Sequence, residues 1–244
     1  DPVLERWTID FDALEQTITN KTNLFLFCNP HNPLGRIFSV EELKETAEFC
    51  LRNNLIICSD EIHCDLLLEP SKSHIPIATL SPDIADRTIT LMAPSKTFNL
   101  PGFGCSFAII PNPQLRTAFK KIRAGIVPDP AAIGYTAALA AYRDSAQWHL
   151  QLLKYLKSNA DLAYQRISRM PGLWTHPVEA TYLLWIDARK LGQDNPQRFF
   201  EDHGIGLSDG RDFGKPGFVR LNFGCTRSLL EQALDRMETA VMEL

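Results

Sequence analysis

An α/β fold, built as three layers on a mostly parallel sheet and followed by a smaller C-terminal α+β domain, is predicted by three features of this sequence. Short apolar runs at residues 23–28, 55–60, 88–92 and 105–110 alternate with helical periods through the first half. Those runs are apolar throughout rather than at every second residue, the mark of strands covered on both faces by helices. Beyond Pro111 the pattern changes to long helical periods with two late, short strands.

Taken in order, residues 11–19 read as a helix and "NLFLFC" (23–28) as a buried strand. The stretch "SVEELKETAEFCLRNN" opens with Ser39 at the N-cap and Glu42 three residues on, a capping box, and aligns Val40, Leu43, Ala47 and Cys50 on one face. "LIICSD" (55–60), residues 88–92 and residues 105–110 complete the strands of the first domain. Helices are expected over 112–125, 130–143 and 145–170, then strands over 181–187 and 218–223. A last amphipathic helix after Thr226 carries Leu230, Leu234, Met237 and Val241 on its apolar face. The expected division is 1–145 for the larger domain and 146–244 for the smaller.

With 244 residues the chain can bury one large or two modest cores. A formal net charge of −4 offers no electrostatic reason for nucleic acid or an anionic membrane as partner. Lys120, Lys121 and Arg123 read as the solvated face of a helix. No apolar stretch approaches the roughly 20 residues of a membrane span, and "DPVLERWTIDFD" lacks the basic start and apolar middle of a signal peptide. The six cysteines (28, 50, 58, 64, 105 and 225) fall mostly inside apolar runs without a C-x-x-C pair, as expected of reduced core thiols in a cytoplasmic protein. The sequon at Asn20 is then idle.

The chemistry is concentrated where strands end. In open α/β sheets ligands sit at the carboxyl ends of strands, where loops and helix N-termini converge. Here "NPHNPLGR" follows the first strand, "SDEIHCD" the second and "APSKTFN" the third. Together they offer an amide, a carboxylate and a lysine. A lysine can form a Schiff base with a carbonyl cofactor, and the ring nitrogen of pyridoxal phosphate (PLP) stays protonated beside a carboxylate. A metal reading of His31, Asp60, His63 and Cys64 lacks any familiar structural-zinc spacing, so no metal is expected.

In this order and spacing, "NPHNPLG", "SDEIHCD" and "SKTFNLPG" closely resemble the fold-type-I PLP enzymes of the class I/II aminotransferase superfamily. With His63, "ATYLLWID" and "VRLNFGCTRSLLEQAL" added, the resemblance narrows to the cystathionine β-lyase branch, the MalY/PatB type of C–S lyase. It implies the PLP fold type I large domain, incomplete at its N-terminus, plus the small C-terminal domain. It implies a PLP cofactor, an amino-acid substrate with a Cβ–S bond, and a homodimer.

Carried over by position, Lys96 is the Schiff-base lysine and the base that moves the substrate Cα proton, its basicity lowered by desolvation. Asp60 pairs with the ring nitrogen, Asn32 donates to the ring's phenolic oxygen, and His63 lies near the same edge. Ser95 is assigned to the phosphate and Arg220 to the substrate α-carboxylate, which suits a guanidinium fork.

Two departures accompany the resemblance. Ala93 and Gly104 stand where many members keep a phosphate-binding serine and arginine, and the lyase branch also tends to lack that arginine. Family members also extend further at the N-terminus, where the phosphate-binding turn and the aromatic that stacks on the ring normally lie. An aminotransferase, or a non-catalytic module retaining the fold, are the alternative functions.

Overall fold

The computed structural model describes residues 6–244, which divide into two compact units. The first takes the described residues through Pro30, then Ile37–Asp65 and Ser73–His149; the second takes His31–Arg36, Leu66–Lys72 and Leu150–Leu244.

The first unit is built on a four-stranded sheet in chain order: β1 (Leu24–Cys28), β2 (Ile56–Asp60), β3 (Thr88–Met92) and β4 (Phe107–Ile109). The first three run parallel and β4 returns antiparallel to β3, so the sheet is mostly parallel as expected. Its helices are α1 (Phe11–Glu15), α2 (Val40–Arg52), α3 (Pro82–Asp86), α4 (Pro113–Arg123) and α5 (Ala132–Asp144). At the start of α2 the capping box forms in full: Glu42 N–H donates to Ser39 Oγ at 3.3 Å, and Ser39 N–H donates to Glu42 Oε2 at 2.8 Å. Each satisfies an amide that the helix itself cannot. Leu43, Ala47, Phe49 and Cys50 then seal against Phe27, Ile57, Ile77 and Ile84 to make this unit's core.

Three local expectations need correction. The helix expected over 11–19 stops at Glu15. Beyond it Thr17 Oγ1 donates to Leu14 O at 2.7 Å, the side-chain competition that ends helices, and Ile18 and Thr19 add β-branched residues. Nor is β1 buried on both faces. Phe25 and Phe27 pack inward, whereas Leu26 on the opposite face is 74% exposed. Of the six cysteines only Cys50 is fully buried; burial pushes its thiol up to about 12.

The second unit carries an antiparallel sheet in the order β5 (Trp174–Thr175), β6 (Leu183–Asp187), β8 (Phe218–Asn222), β7 (Ser208–Asp209). Helix α6 (Ala146–Ile167) begins in the first unit and runs into the second, which also holds α7 (Pro196–Asp202) and α8 (Arg227–Met242). Leu184, Ile186, Val219 and Leu221 pack against Leu156 and Ile167 of α6 and against Leu230, Leu234, Met237 and Val241 of α8, the face expected from sequence. Asn159 is buried in this core and donates from Nδ2 to the carbonyls of Phe223 and Cys225, each at 3.0 Å, which ties α6 to the chain leaving β8. No helix among the described residues is long and apolar enough to cross a membrane.

Candidate active site

In the first unit, strand pairing decides where the acid and the lysine fall. Cys28 of β1 lies opposite Asp60, and Asp60 opposite Leu91 of β3, so Asp60 stands at the carboxyl end of the central pair of strands. Lys96 follows β3 in a turn closed by Phe98 N–H to Pro94 O at 2.9 Å and Leu100 N–H to Ser95 O at 3.1 Å. The two residues therefore leave the same edge of neighbouring parallel strands. His63, 4% exposed, lies in the turn after β2, and Ser95 is half-buried beside Lys96.

What these groups touch is informative. The Asp60 carboxylate accepts one hydrogen bond, from Ile62 N–H at 3.2 Å, and forms no ion pair with a described residue. It lines a cavity of about 660 Å³ together with Leu91, Ala93 and Ser106, and the same cavity is lined by Arg116, Lys120 and Arg123. Lys96 likewise has no acidic partner among the described residues. It is exposed, so the desolvation expected for it is not supplied by the described residues.

The second unit assembles the other two residues. Arg220 on β8 donates from Nη1 to Asn32 Oδ1 at 2.7 Å and from Nη2 to Ser208 Oγ at 3.0 Å. Ser208 reaches it because β7 pairs with β8 in the register Ser208 opposite Arg220. The guanidinium sits 4.7 Å over the Phe213 ring, which packs edge-to-face with Trp185, which itself stacks on Phe218. Its Nε is buried and unpartnered, and no carboxylate pairs with it among the described residues. Burial pushes the guanidinium down from its ordinary range, with Tyr182 and Asp212 opposing the effect. A desolvated arginine served only by neutral acceptors is arranged for an anion that arrives from outside.

Asn32 is held by a compact turn. Gly35 N–H donates to His31 O at 2.8 Å, His31 N–H to Arg36 O at 2.9 Å, and Gly35 O accepts from Glu179 and Ala180. Gly35 has φ +64°, and a Cβ there would lie 3.0 Å from Leu183 O and from Val178, so glycine is required on both counts. Ahead of β6, Thr181 holds φ +74°, a strained value for a β-branched residue. Its Oγ1 accepts from Leu183 N–H at 3.1 Å and its N–H donates to Leu66 O at 2.8 Å, fixing the entry to Tyr182 and β6.

Sequence reasoning missed Ser208, Phe213, Trp185 and Tyr182. Ser208 belongs to a two-residue strand, too short to show a period. Phe213 lies in a single 3₁₀ turn. Trp185 and Tyr182 sit inside a stretch singled out for its wording rather than for any contact.

The chain belongs to the aminotransferase class I and II family, whose profile matches residues 2–237. Within that family its relatives include cystathionine β-lyase PatB of Bacillus subtilis, 36% identical over 99% of this chain and 65% of that protein. Among solved structures, OvoB superposes with a TM-score of 0.96 at 50% identity, covering 98% of this chain and 63% of its own. Cystalysin from Treponema denticola, whose crystal structure contains pyridoxal 5'-phosphate, gives a TM-score of 0.92 at 34% identity over 98% and 62%. The chain thus spans just under two thirds of the length of these relatives.

Proposed function

We propose that the protein is a PLP-dependent carbon–sulfur β-lyase, cleaving cystathionine or a cysteine S-conjugate to a thiol, pyruvate and ammonia with consumption of water. The observations that carry this reading lie in each unit by itself: in the first, Asp60 and Lys96 leave the carboxyl ends of neighbouring strands, and in the second, Arg220 keeps a buried, unpartnered Nε, with none of the three in an ion pair among the described residues. Half-buried charges normally find partners within the fold, so Asp60 fits a group whose partner is a cofactor and Arg220 one whose partner is an amino-acid carboxylate. The lyase branch is supported by the PatB and cystalysin likenesses.

On this reading the two units act as the cofactor-binding and the smaller domain; they depart from the expected division at 145 because the second unit begins its long segment at Leu150 and also takes His31–Arg36, which carries Asn32, and Leu66–Lys72. When bound, PLP supplies an electron-poor ring that takes up the electron pair left at the substrate Cα. Lys96 links the cofactor and then accepts the Cα proton. Asp60 keeps the ring nitrogen protonated. Asn32 has its Oδ1 occupied by Arg220, which orients the amide so that Nδ2 is the end free to donate to the ring oxygen. Arg220 holds the α-carboxylate, His63 lies near the ring oxygen and Ser95 near the phosphate. Loss of the Cβ–S bond leaves an enamine that water hydrolyses to pyruvate and ammonia. A homodimer is part of the proposal.

The test is pyruvate release from cystathionine, without any keto acid, by the PLP-loaded protein and its Lys96→Ala variant. The wild type should release pyruvate. The variant should release none while still binding substrate, because the lysine is needed for proton transfer more than for recognition. A wild type that makes a new amino acid from an added keto acid, and no pyruvate, would replace the lyase with an aminotransferase.

A further inference from the structure

Immediately beside Asp60 lies a buried acid that the proposed chemistry does not use. Strand β2 alternates: Ile57 and Ser59 face the core, Cys58 and Asp60 the other side, and Glu61 continues the core-facing set at 1% exposure. Glu61 Oε1 accepts from Ser59 Oγ at 2.9 Å, and Oε2 lies 2.7 Å from His74 Nε2, whose side chain is only 9% exposed. The backbone is tied at the same place. Asp60 O accepts from Asn29 N–H and Glu61 N–H donates to Leu91 O, both at 3.0 Å.

The residues on either side of Asp60 are therefore bonded to each other across it, and the pair is anchored from outside by His74. As a stability device the arrangement is poor. His74 Nδ1 is buried without a partner, and an apolar pair of similar volume would remove that cost. As a way to fix one carboxylate it is effective, because the two flanking side chains leave the Asp60 peptide little freedom to rotate.

We infer that Glu61 and His74 are positioning residues for Asp60, holding its carboxylate in one orientation toward the ring nitrogen of PLP. The inference rests on the proposed cofactor role of Asp60 and adds the device that makes it work. Asp60 keeps the ring nitrogen protonated only while its carboxylate stays aligned. A ring cation disfavours a second positive charge on the Schiff-base nitrogen. If Asp60 swings away and the ring loses its proton, the Schiff base holds its own proton to higher pH.

The experiment compares the PLP-loaded wild type with Glu61→Gln and with the apolar double variant Glu61→Met/His74→Leu, which keeps the core filled should the single variant fold poorly. Visible absorbance of bound PLP is followed through a pH titration, alongside cystathionine kinetics and thermal unfolding. The double variant is expected to bind PLP and to raise the pH midpoint of the absorbance change by roughly one unit. Its kcat should fall about 10- to 100-fold with KM nearly unchanged, the size typical of residues that orient a functional group. Glu61→Gln, which can still bond Ser59, should fall between it and the wild type. A double variant with unchanged midpoint and unchanged kcat would overturn the inference whatever its melting temperature. A wild type that develops no visible PLP band would overturn the cofactor reading itself, and this inference with it.

Discussion

Arg220→Ala tests the substrate end of the proposed site. Two of the guanidinium nitrogens already serve neutral partners, Asn32 and Ser208, while Nε is buried and unused. A substrate carboxylate that takes the Nε–H and the second Nη2–H gains two charge-assisted hydrogen bonds, each worth about 1.5–3 kcal/mol. Truncation removes both, for a gross loss of about 3–6 kcal/mol, but water entering the space over Phe213 recovers part of it. A net loss of about 3 kcal/mol corresponds to roughly a 100-fold fall in kcat/KM. Because the carboxylate is held alike before and during the reaction, most of that fall should appear as a higher KM. Arg220→Lys keeps the charge without the fork and should recover only part of the loss. Steady-state kinetics of the PLP-loaded protein with cystathionine separate the terms. A KM within about threefold of wild type, or a loss confined to kcat, would refute the assignment of Arg220 to the carboxylate.

Asp60→Ala should leave PLP bound, as read by visible absorbance, and lower kcat by at least about 10²–10³-fold, the scale of other single electrostatic deletions. Asn159→Ala should lower the stability of the second unit by about 2–4 kcal/mol, seen as an earlier melting transition, since two buried carbonyls lose their donor. Burial and the charge of Arg36 hold the His31 imidazole down at about 4. The unfolded chain therefore takes up a proton near pH 6.5 that the folded chain refuses until about pH 4, so stability present above pH 6.5 is lost as the pH falls through that window. At most about 3 kcal/mol is at stake. Urea midpoints at pH 7 and pH 4.5 should show this acid loss in the wild type and a flatter dependence in His31→Gln.

By itself the sequence determined those features that depend on near neighbours along the chain. The capping box at Ser39 and Glu42, the buried stripe of α8, and the bounds of β3 all follow from spacing within a turn or two, where side chain and backbone interact locally. The wording at three strand ends also marked Asp60, Lys96 and Asn32 as candidates, since strand–turn chemistry is local as well. Contacts between distant residues were a different matter. That Arg220 bonds Asn32, 188 residues away, depends on β8 pairing with β6 and β7 in one register, which no local period encodes. Ser208 could be recognised only once β7 was laid beside β8, because two residues are too few to declare a strand. The reading of β1 as buried failed for the converse reason: an apolar run reports what a strand can be covered by, and Leu26 shows that coverage is decided by what packs against it. Only the tertiary structure could show that Glu61, next to a residue already singled out, turns inward to His74, since strand parity assigns the face but not the partner that waits there.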